Sequence, residues 1–240
     1  MSPDRRQHRG AHPADQELFA PARHAALRTA TAELSWLLSR GYAQTAALKL
    51  VGDRHALRER QRAAVARAAC SDISRARRAQ TCLAPDALRG VRVIVDGFNL
   101  IVTLEAILGG GPIILGRDGC LRDLSSVHGS YRAVAETEAA VTLIGESLAA
   151  AGVAAAHWLL DRPVSNSGRL AARLREMAAA RAWPWTVELA FNPDALLRAA
   201  DAVAVTSDSA ILDGAARWHN LAAHLHAQGR LRPWLIDLCV

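Results

Sequence analysis

One short segment constrains the fold of this chain more than any other. It is the run Val91-Arg-Val-Ile-Val-Asp96, in which β-branched apolar residues end in an aspartate. Such a run predicts a strand buried in the middle of a sheet. Gly97 and Asn99 follow, and the hydrophobic spacing then changes to that of a helix. A strand that leads directly into a helix is the building unit of open α/β sheets.

Two later apolar runs end in the same way, at Asp161 and at Asp208. Ligands of open α/β sheets bind outside the carboxyl ends of the strands. We therefore expect Asp96, Asp161 and Asp208 to form an acidic, catalytic pocket at one sheet edge. That pocket would suit Mg²⁺ or Mn²⁺, which prefer oxygen ligands. The alternative is that each aspartate only caps the helix after it.

Three further side chains are candidates for the same site. Asn99 could share the metal or bind a bridging water in catalysis, or it could simply finish the turn. Asp213 lies five residues after Asp208 and is either a metal ligand or an exposed carboxylate. Glu138, on a helix predicted at 130–151, is a candidate fourth ligand or water-activating group.

The order of the predicted elements favours an α/β fold over residues 91–240. We predict strands near 91–96, 154–160, 185–190, 202–206 and 233–238. We predict helices near 99–108, 130–151, 167–182, 193–200, 208–216 and 218–228. This alternation predicts a mostly parallel sheet with helices on both faces, in three layers. Residues 109–129 are expected to form a long irregular segment, and such loops are often functional.

The amino-terminal part has a different character. Residues 1–20 are expected to be a flexible arm, and residues 21–88 a small, basic, all-helical domain. Residues 1–90 carry 16 basic and 8 acidic side chains, whereas residues 91–240 carry 13 and 15. This asymmetry has two equally open interpretations: the basic residues form a phosphate-binding surface on the helices, or they form a solvated helix face without a ligand. The candidate nucleic-acid contacts here are Arg54, Arg58, Arg62 and Arg77.

A second set of candidate phosphate contacts follows the strand predicted near 154–160. Ser165, Asn166 and Ser167 precede a predicted helix, and exposed amides at a helix start favour an anion. Ordinary capping is the alternative for each of them. His128 and Arg132 could also contact a phosphate, although surface roles are equally consistent with their positions.

Composition excludes several classes of protein. The chain has 240 residues and four widely spaced cysteines without a CxxC pair, which argues against a zinc site or a disulfide framework. No uncharged apolar stretch is long enough to span a bilayer, and the polar amino terminus does not resemble a secretory signal. We therefore expect a cytoplasmic protein with no membrane partner. No GxGxxG, GxxxxGK[ST] or GxSxG motif is present.

Residues 91–240 resemble a PIN-like nuclease domain, near the NYN branch, in the motifs Val-Asp-Gly-Phe-Asn-Leu-Ile and Val-Thr-Ser-Asp-Ser-Ala-Ile-Leu-Asp. In those families an Asp-Gly-x-Asn motif ends the first strand and a Thr/Ser-x-Asp motif ends a later one. Asp96, Asn99 and Asp208 match these motifs well, and Asp161 and Asp213 match less specifically. The whole chain also resembles the domain of unknown function 434 family, through the segment Arg40 to Arg54.

These observations predict metal-dependent hydrolysis of phosphodiester bonds in nucleic acid, with RNA as the favoured substrate and a homo-oligomer as a possible assembly. Two alternatives stay open. One is a non-catalytic nucleic-acid-binding protein with a degenerate PIN-like fold. The other is a phosphohydrolase that uses the same acidic edge on a small substrate.

Overall fold

The computed structural model describes residues 8–125 and 129–240, so His128 lies outside the described residues. The amino-terminal helices are α1 (Asp15–Leu18), α2 (Pro21–Ser39), α3 (Gln44–Arg54), α4 (Glu59–Ala68) and α5 (Asp72–Thr81). Their apolar faces form one core, which includes Leu27, Leu34, Val51 and Val65. The predicted all-helical character of this part of the chain is confirmed.

The prediction of a flexible arm is wrong for residues 8–20. Leu18 and Phe19 are buried in the helical core. The carboxylate of Asp15 is also buried, and it accepts a hydrogen bond of 2.9 Å from Nη2 of Arg60. Polar composition suggested an arm, but this segment is fixed by two apolar side chains and a buried ion pair.

A 3₁₀ turn at Pro85–Leu88 leads into the α/β part of the chain. Its strands are β1 (Arg92–Asp96), β2 (Pro112–Leu115), β3 (Leu121–Asp123), β4 (Ala155–Asp161), β5 (Trp185–Ala190), β6 (Val203–Val205), β7 (Trp218–His219) and β8 (Trp234–Asp237). Its helices are α6 (Gly97–Leu108), α7 (Thr137–Ala150), α8 (Ser167–Ala180), α9 (Pro193–Ala199), α10 (Ser209–Leu212) and α11 (Leu221–Ala227).

Five strands form a parallel sheet in the order β5-β4-β1-β6-β7. Successive residues of β1 point to opposite faces: Val93 and Val95 enter one core, and Ile94 enters another. The strand is therefore apolar throughout because helices cover both of its faces. The predicted α/β class and the mostly parallel sheet are confirmed.

The strand order reverses direction between β1 and β6. The chain runs from β1 outward to β4 and β5, and then returns to place β6 on the other side of β1. Loops after β1 and β6 consequently leave the sheet toward opposite faces and open a crevice between them. This is the position at which open α/β sheets bind their ligands.

The expected irregular segment at 109–129 is instead largely a hairpin. Strands β2 and β3 pair antiparallel, and β8 joins β2 in parallel to complete a second, three-stranded sheet. The strand predicted near 233–238 therefore exists, but it lies outside the main sheet. Ile114, Ile236 and Leu238 of this second sheet share the core of the amino-terminal helices. The helical part and the α/β part are thus joined by a common core.

None of the described helices is both long enough and apolar enough to cross a bilayer. The four cysteines are free thiols.

Candidate functional site

Asp96 is a buried carboxylate at the carboxyl end of the central strand. Its residue is only 8% exposed, and its Oδ2 accepts a hydrogen bond of 2.8 Å from the Thr206 hydroxyl. Burial raises the pKa of Asp96 to about 7, and the negative charges of Asp208 and Asp194 add to the increase. Asp96 occupies the position before α6, but its side chain makes no capping hydrogen bond. The Asn99 backbone amide nevertheless favours the ionised form of Asp96, so the carboxylate interacts weakly with the start of α6.

Asn99 links the ends of β1 and β6. Its Oδ1 accepts hydrogen bonds from the Ser207 amide at 2.9 Å and from the Ser207 hydroxyl at 3.0 Å. Because this oxygen is already occupied, Asn99 is a positioning residue in this structure rather than a free metal ligand. It holds Thr206 and Ser207 against α6, and Thr206 in turn contacts Asp96.

Gly97 allows the start of α6 to pack closely against the end of β4. A Cβ atom at this position would lie 2.8 Å from the Leu159 carbonyl oxygen and 2.5 Å from a methyl carbon of Leu160. Any larger residue would push α6 away from β4. The glycine after the strand-end aspartate therefore has a packing reason of its own.

Asp208 lies beside Asp96 across the crevice. Its Oδ1 caps α10 by accepting hydrogen bonds from the amides of Ala210 at 2.8 Å and Ile211 at 3.2 Å. The capping alternative is thus realised for one oxygen. The second oxygen, Oδ2, has no hydrogen bond with residues 8–125 or 129–240 and stays available for a ligand.

Asp194 is a residue of this edge that the sequence analysis missed. It lies in the first turn of α9, and its negative charge raises the pKa of both Asp96 and Asp161. Its own pKa is raised by partial burial and by Asp208. The signal that could have found it is Asn192-Pro193-Asp194, which marks a helix start directly after the β5 strand.

Asp161 lies on the predicted edge but not at the centre of the cluster. Asp96 pairs in register with Leu159, so β4 extends two residues farther before it reaches Asp161. Burial raises the pKa of Asp161, with Asp194 as the neighbouring charge. The negative charges of Asp208 and Asp194 thus act on Asp96, and the charge of Asp194 acts on Asp161.

A cleft of about 370 Å³ opens beside Asn99, Ser207 and Asp208. The helical part contributes Gln44 and Arg67 to its wall, and the second sheet contributes Arg122 and Asp123. Arg67 donates hydrogen bonds to the Asp123 carbonyl and, at 2.9 Å, to the Ser125 carbonyl, and its guanidinium lies 3.8 Å from the Asp123 carboxylate. About a third of its side chain is exposed. The sequence analysis did not select Arg67, although it lines this cleft.

A buried ion network supports the loop that carries Asp208. Asp118 accepts hydrogen bonds of 2.6 Å from both Arg78 and Arg122. Burial alone would raise the pKa of Asp118, but these two guanidinium groups hold it well below its usual range. Arg122 also donates to the Ser207 carbonyl at 2.7 Å, and Arg78 donates to the Ser209 carbonyl at 3.1 Å.

Two of the predicted metal ligands lie elsewhere, in ion pairs. Asp213 accepts a hydrogen bond of 2.9 Å from Arg78, so it belongs to the buried ion network. Glu138 accepts a hydrogen bond of 2.7 Å from Arg173 on the exposed surface between α7 and α8. Arginine partners from distant parts of the sequence hold both carboxylates in this structure.

The predicted basic contacts are largely paired within the helical part. Arg54 lies 3.3 Å from Glu33, Arg58 lies 3.2 Å from Glu17, and Arg62 lies 2.8 Å from Asp53. Arg77 donates to the Ala215 carbonyl at 3.4 Å. The described residues that line the cleft include none of these four arginines.

The predicted anion-binding turn has a structural role. The side-chain amide of Asn166 donates a hydrogen bond of 2.9 Å to the Tyr131 carbonyl, and the backbone amide of Tyr131 donates one of 3.1 Å to the Ser165 carbonyl. Ser167 is buried, and its hydroxyl donates to the Arg162 carbonyl at 3.4 Å. Arg132 lies beside this turn, and its carbonyl accepts a hydrogen bond from Arg9. The Asn166 side chain and the Ser165 carbonyl thus fasten this turn to the segment around Tyr131.

The donor chemistry of the edge fits a hard divalent cation only in part. The donors are carboxylate oxygens, which Mg²⁺ and Mn²⁺ prefer. Burial, and then repulsion from Asp208 and Asp194, raise the pKa of Asp96, and a cation would offset both. Within residues 8–125 and 129–240, however, no three His, Cys, Asp or Glu side chains are close enough to hold a metal ion together. Mg²⁺ commonly uses one or two carboxylates, several waters and substrate phosphate, and Asp96 with Asp208 supplies such a pair.

Comparison with known proteins assigns the chain to a family. Residues 85–224 match the domain of unknown function DUF5616, and residues 26–80 match the protein of unknown function DUF434. The chain belongs to the DUF5616 family. The predicted similarity to the domain of unknown function 434 family is confirmed for residues 26–80.

The chain is also similar to the uncharacterized protein MJ0935 of Methanocaldococcus jannaschii. The two are 31% identical over 186 residues, which cover 78% of this chain and 88% of that protein. The similarity therefore extends over most of both chains. No solved structure matches this chain.

Proposed function

We propose that this DUF5616 protein hydrolyses phosphodiester bonds in RNA with Mg²⁺ or Mn²⁺. The observation that carries the proposal is the position of Asp96 and Asp208 at the strand-order reversal, where their charges repel each other beside an open cleft. Buried like charges are costly unless a ligand compensates for them. The resemblance of the two strand-end motifs to those of PIN-like nucleases agrees with this reading.

Asp96 and Asp208 would hold the cation, and Asp194 would face it from the start of α9. When bound, a divalent cation lowers the pKa of a coordinated water and stabilises negative charge on the reacting phosphate. Thr206 and Asn99 fix the relative positions of the two aspartates through their hydrogen bonds. Arg67 would bind a phosphate on the cleft side, because its guanidinium lines that wall.

The test is a cleavage and binding assay on wild type and the Asp96→Asn variant. The substitution preserves size and hydrogen-bonding capacity but removes the charge that would hold the cation. We expect cleavage of single-stranded RNA in Mn²⁺ or Mg²⁺ to fall by orders of magnitude. RNA binding should persist or tighten, because a negative charge near phosphate is lost.

Asp201→Asn is the matched control, since Asp201 precedes β6 at the opposite edge and its side chain is fully exposed. Wild-type protein that binds RNA without cleaving it, with metal or with chelator, would instead support a non-catalytic nucleic-acid-binding protein. Wild-type protein that ignores RNA but hydrolyses a small phosphate ester would support a small-substrate phosphohydrolase.

A further inference from the structure

An exposed aromatic ring lies at the carboxyl edge of the main sheet. Phe191 directly follows Ala190, the last residue of β5, and is 74% exposed. Arg162 directly follows Asp161, the last residue of β4, and its guanidinium carbon lies 4.7 Å from the centre of the Phe191 ring. The Arg162 amide donates to the Ala190 carbonyl at 2.8 Å, which fixes the two strand ends side by side.

The position of this pair distinguishes it from ordinary surface residues. A single exposed apolar side chain requires no explanation by itself. Phe191, however, stands three residues before Asp194, and Arg162 stands next to Asp161. Asp194 in turn shares its electrostatic field with Asp208 and Asp96. The aromatic pair therefore follows strands β4 and β5, the strand that ends in Asp161 and the strand that precedes Asp194.

We propose, on the basis of the proposed function, that Phe191 and Arg162 form a base-stacking subsite for single-stranded nucleic acid. Arg162 covers one face of the ring, and the exposed face would stack on a nucleobase. Arg162 also carries N–H donors for the phosphate of the same nucleotide. The ligand of this subsite would be single-stranded, because bases in a duplex are already stacked and paired, whereas unpaired bases can lie on an aromatic side chain.

Stacking also solves an electrostatic problem of this edge. The aspartates repel phosphate, so a contact that does not depend on backbone charge adds affinity that they do not oppose. Base stacking on an aromatic ring supplies that contact, and it tolerates any base because every base has a π face. A strand held between Phe191 on one side and Arg67 on the other would pass its backbone over Asp96 and Asp208.

The proposal can be tested by fluorescence anisotropy with labelled oligonucleotides in EDTA, where no metal-dependent cleavage interferes. The probes are a single-stranded RNA of twelve residues, a DNA of the same sequence, and the corresponding duplexes. We expect Phe191→Ala to weaken binding of a single strand by roughly tenfold, the size typical of one stacked base. Phe191→Trp should retain the affinity, and duplex binding should not respond to either change.

Trp36 provides a matched control, because it is 54% exposed and Arg40 lies 3.5 Å from its ring centre on the distant helix α2. Trp36→Ala should leave single-strand binding unchanged. The subsite is overturned if Phe191→Ala binds like wild type, if Trp36→Ala loses as much affinity, or if the protein binds neither single strand. A response with RNA only or DNA only supports the subsite and identifies the preferred sugar.

The binding result is independent of whether the protein is a nuclease. Wild-type protein that shows the Phe191 effect in EDTA but never cleaves in Mn²⁺ retains the subsite and refutes the hydrolysis. Wild-type protein that cleaves RNA while Phe191→Ala binds and cleaves equally well retains the hydrolysis and refutes the subsite.

Discussion

Asp96→Asn should stabilise the metal-free protein, and by an amount that depends on pH. The pKa of Asp96 is raised from 3.8 to about 7, chiefly by burial. Between these values the folded protein holds a proton that the unfolded chain has lost. The free energy of unfolding therefore falls as pH rises through this window and is lowest above it.

The size of the effect follows from the two pKa values. One pKa unit corresponds to about 1.4 kcal/mol, so the ionised carboxylate costs the folded state about 4 kcal/mol at pH 8. At pH 5 more than half of that cost is absent, because the carboxyl is protonated in the folded protein. Asparagine does not titrate and can still accept the Thr206 hydrogen bond. The variant's advantage in stability should therefore grow by roughly 2–3 kcal/mol between pH 5 and pH 8.

The assay is urea unfolding of wild type and Asp96→Asn at both pH values in EDTA. For Asp201→Asn, the difference in the free energy of unfolding from wild type should be the same at both pH values. Adding Mn²⁺ at pH 8 should raise the stability of wild type more than that of the variant, because the cation binds only the folded site. If the free energies of unfolding of Asp96→Asn and wild type differ by the same amount at pH 5 and pH 8, the electrostatic account of this site is refuted.

Two more predictions test the supports of the site. Asp118→Asn should lower the free energy of unfolding by about 3–5 kcal/mol in urea titrations, because it leaves two buried guanidinium groups without their carboxylate. Wild type should also lose this stabilisation as pH falls below 3.8, the pKa of an unperturbed aspartate. If Asp118→Asn lowers the free energy of unfolding by less than about 1 kcal/mol, the network does not stabilise the fold as proposed. Arg67→Gln should weaken RNA binding and reduce its salt dependence by about one counterion, whereas Arg58→Gln, whose partner is Glu17, should leave the salt slope unchanged. If Arg58→Gln instead weakens RNA binding and lowers the salt dependence while Arg67→Gln does not, the basic face of the helices is the binding surface.

The sequence predicts the central part of this site because the signals there are local. A fully buried strand requires a continuous apolar run, and the residue that ends it must lie at the sheet edge. Asp96 follows from that rule, since it is the last residue of β1. Asp208 comes three residues after the end of β6, but the polar segment between them is short. Asp194 does not follow from the rule, because it comes four residues after Ala190, the last residue of β5, and Asn-Pro-Asp is equally typical of an ordinary helix start.

The predicted arginine contacts depend on information that the sequence does not contain. Whether an arginine is available for phosphate depends on which carboxylates the fold brings near it, and those come from other elements. Glu33 on α2 reaches Arg54 at the end of α3, and Glu17 on α1 reaches Arg58. A count of positive residues cannot reveal such pairing. The second sheet was missed for a comparable reason, since β2 has four residues and β3 has three, too few to show a period.

The ion network explains why a helical part and an α/β part occur together in one chain. Arg78 on α5 reaches the loop after β6 through the Ser209 carbonyl and Asp213, while Arg122 of the second sheet holds the Ser207 carbonyl. Asp118 joins the two arginines, so the loop that carries Asp208 is fixed from both parts at once. Because Ile114 and Ile236 also complete the core of the helices, a change in the packing of the helical part would be transmitted to this loop. The helices are thus part of the structure that sets the distance between Asp208 and Asp96.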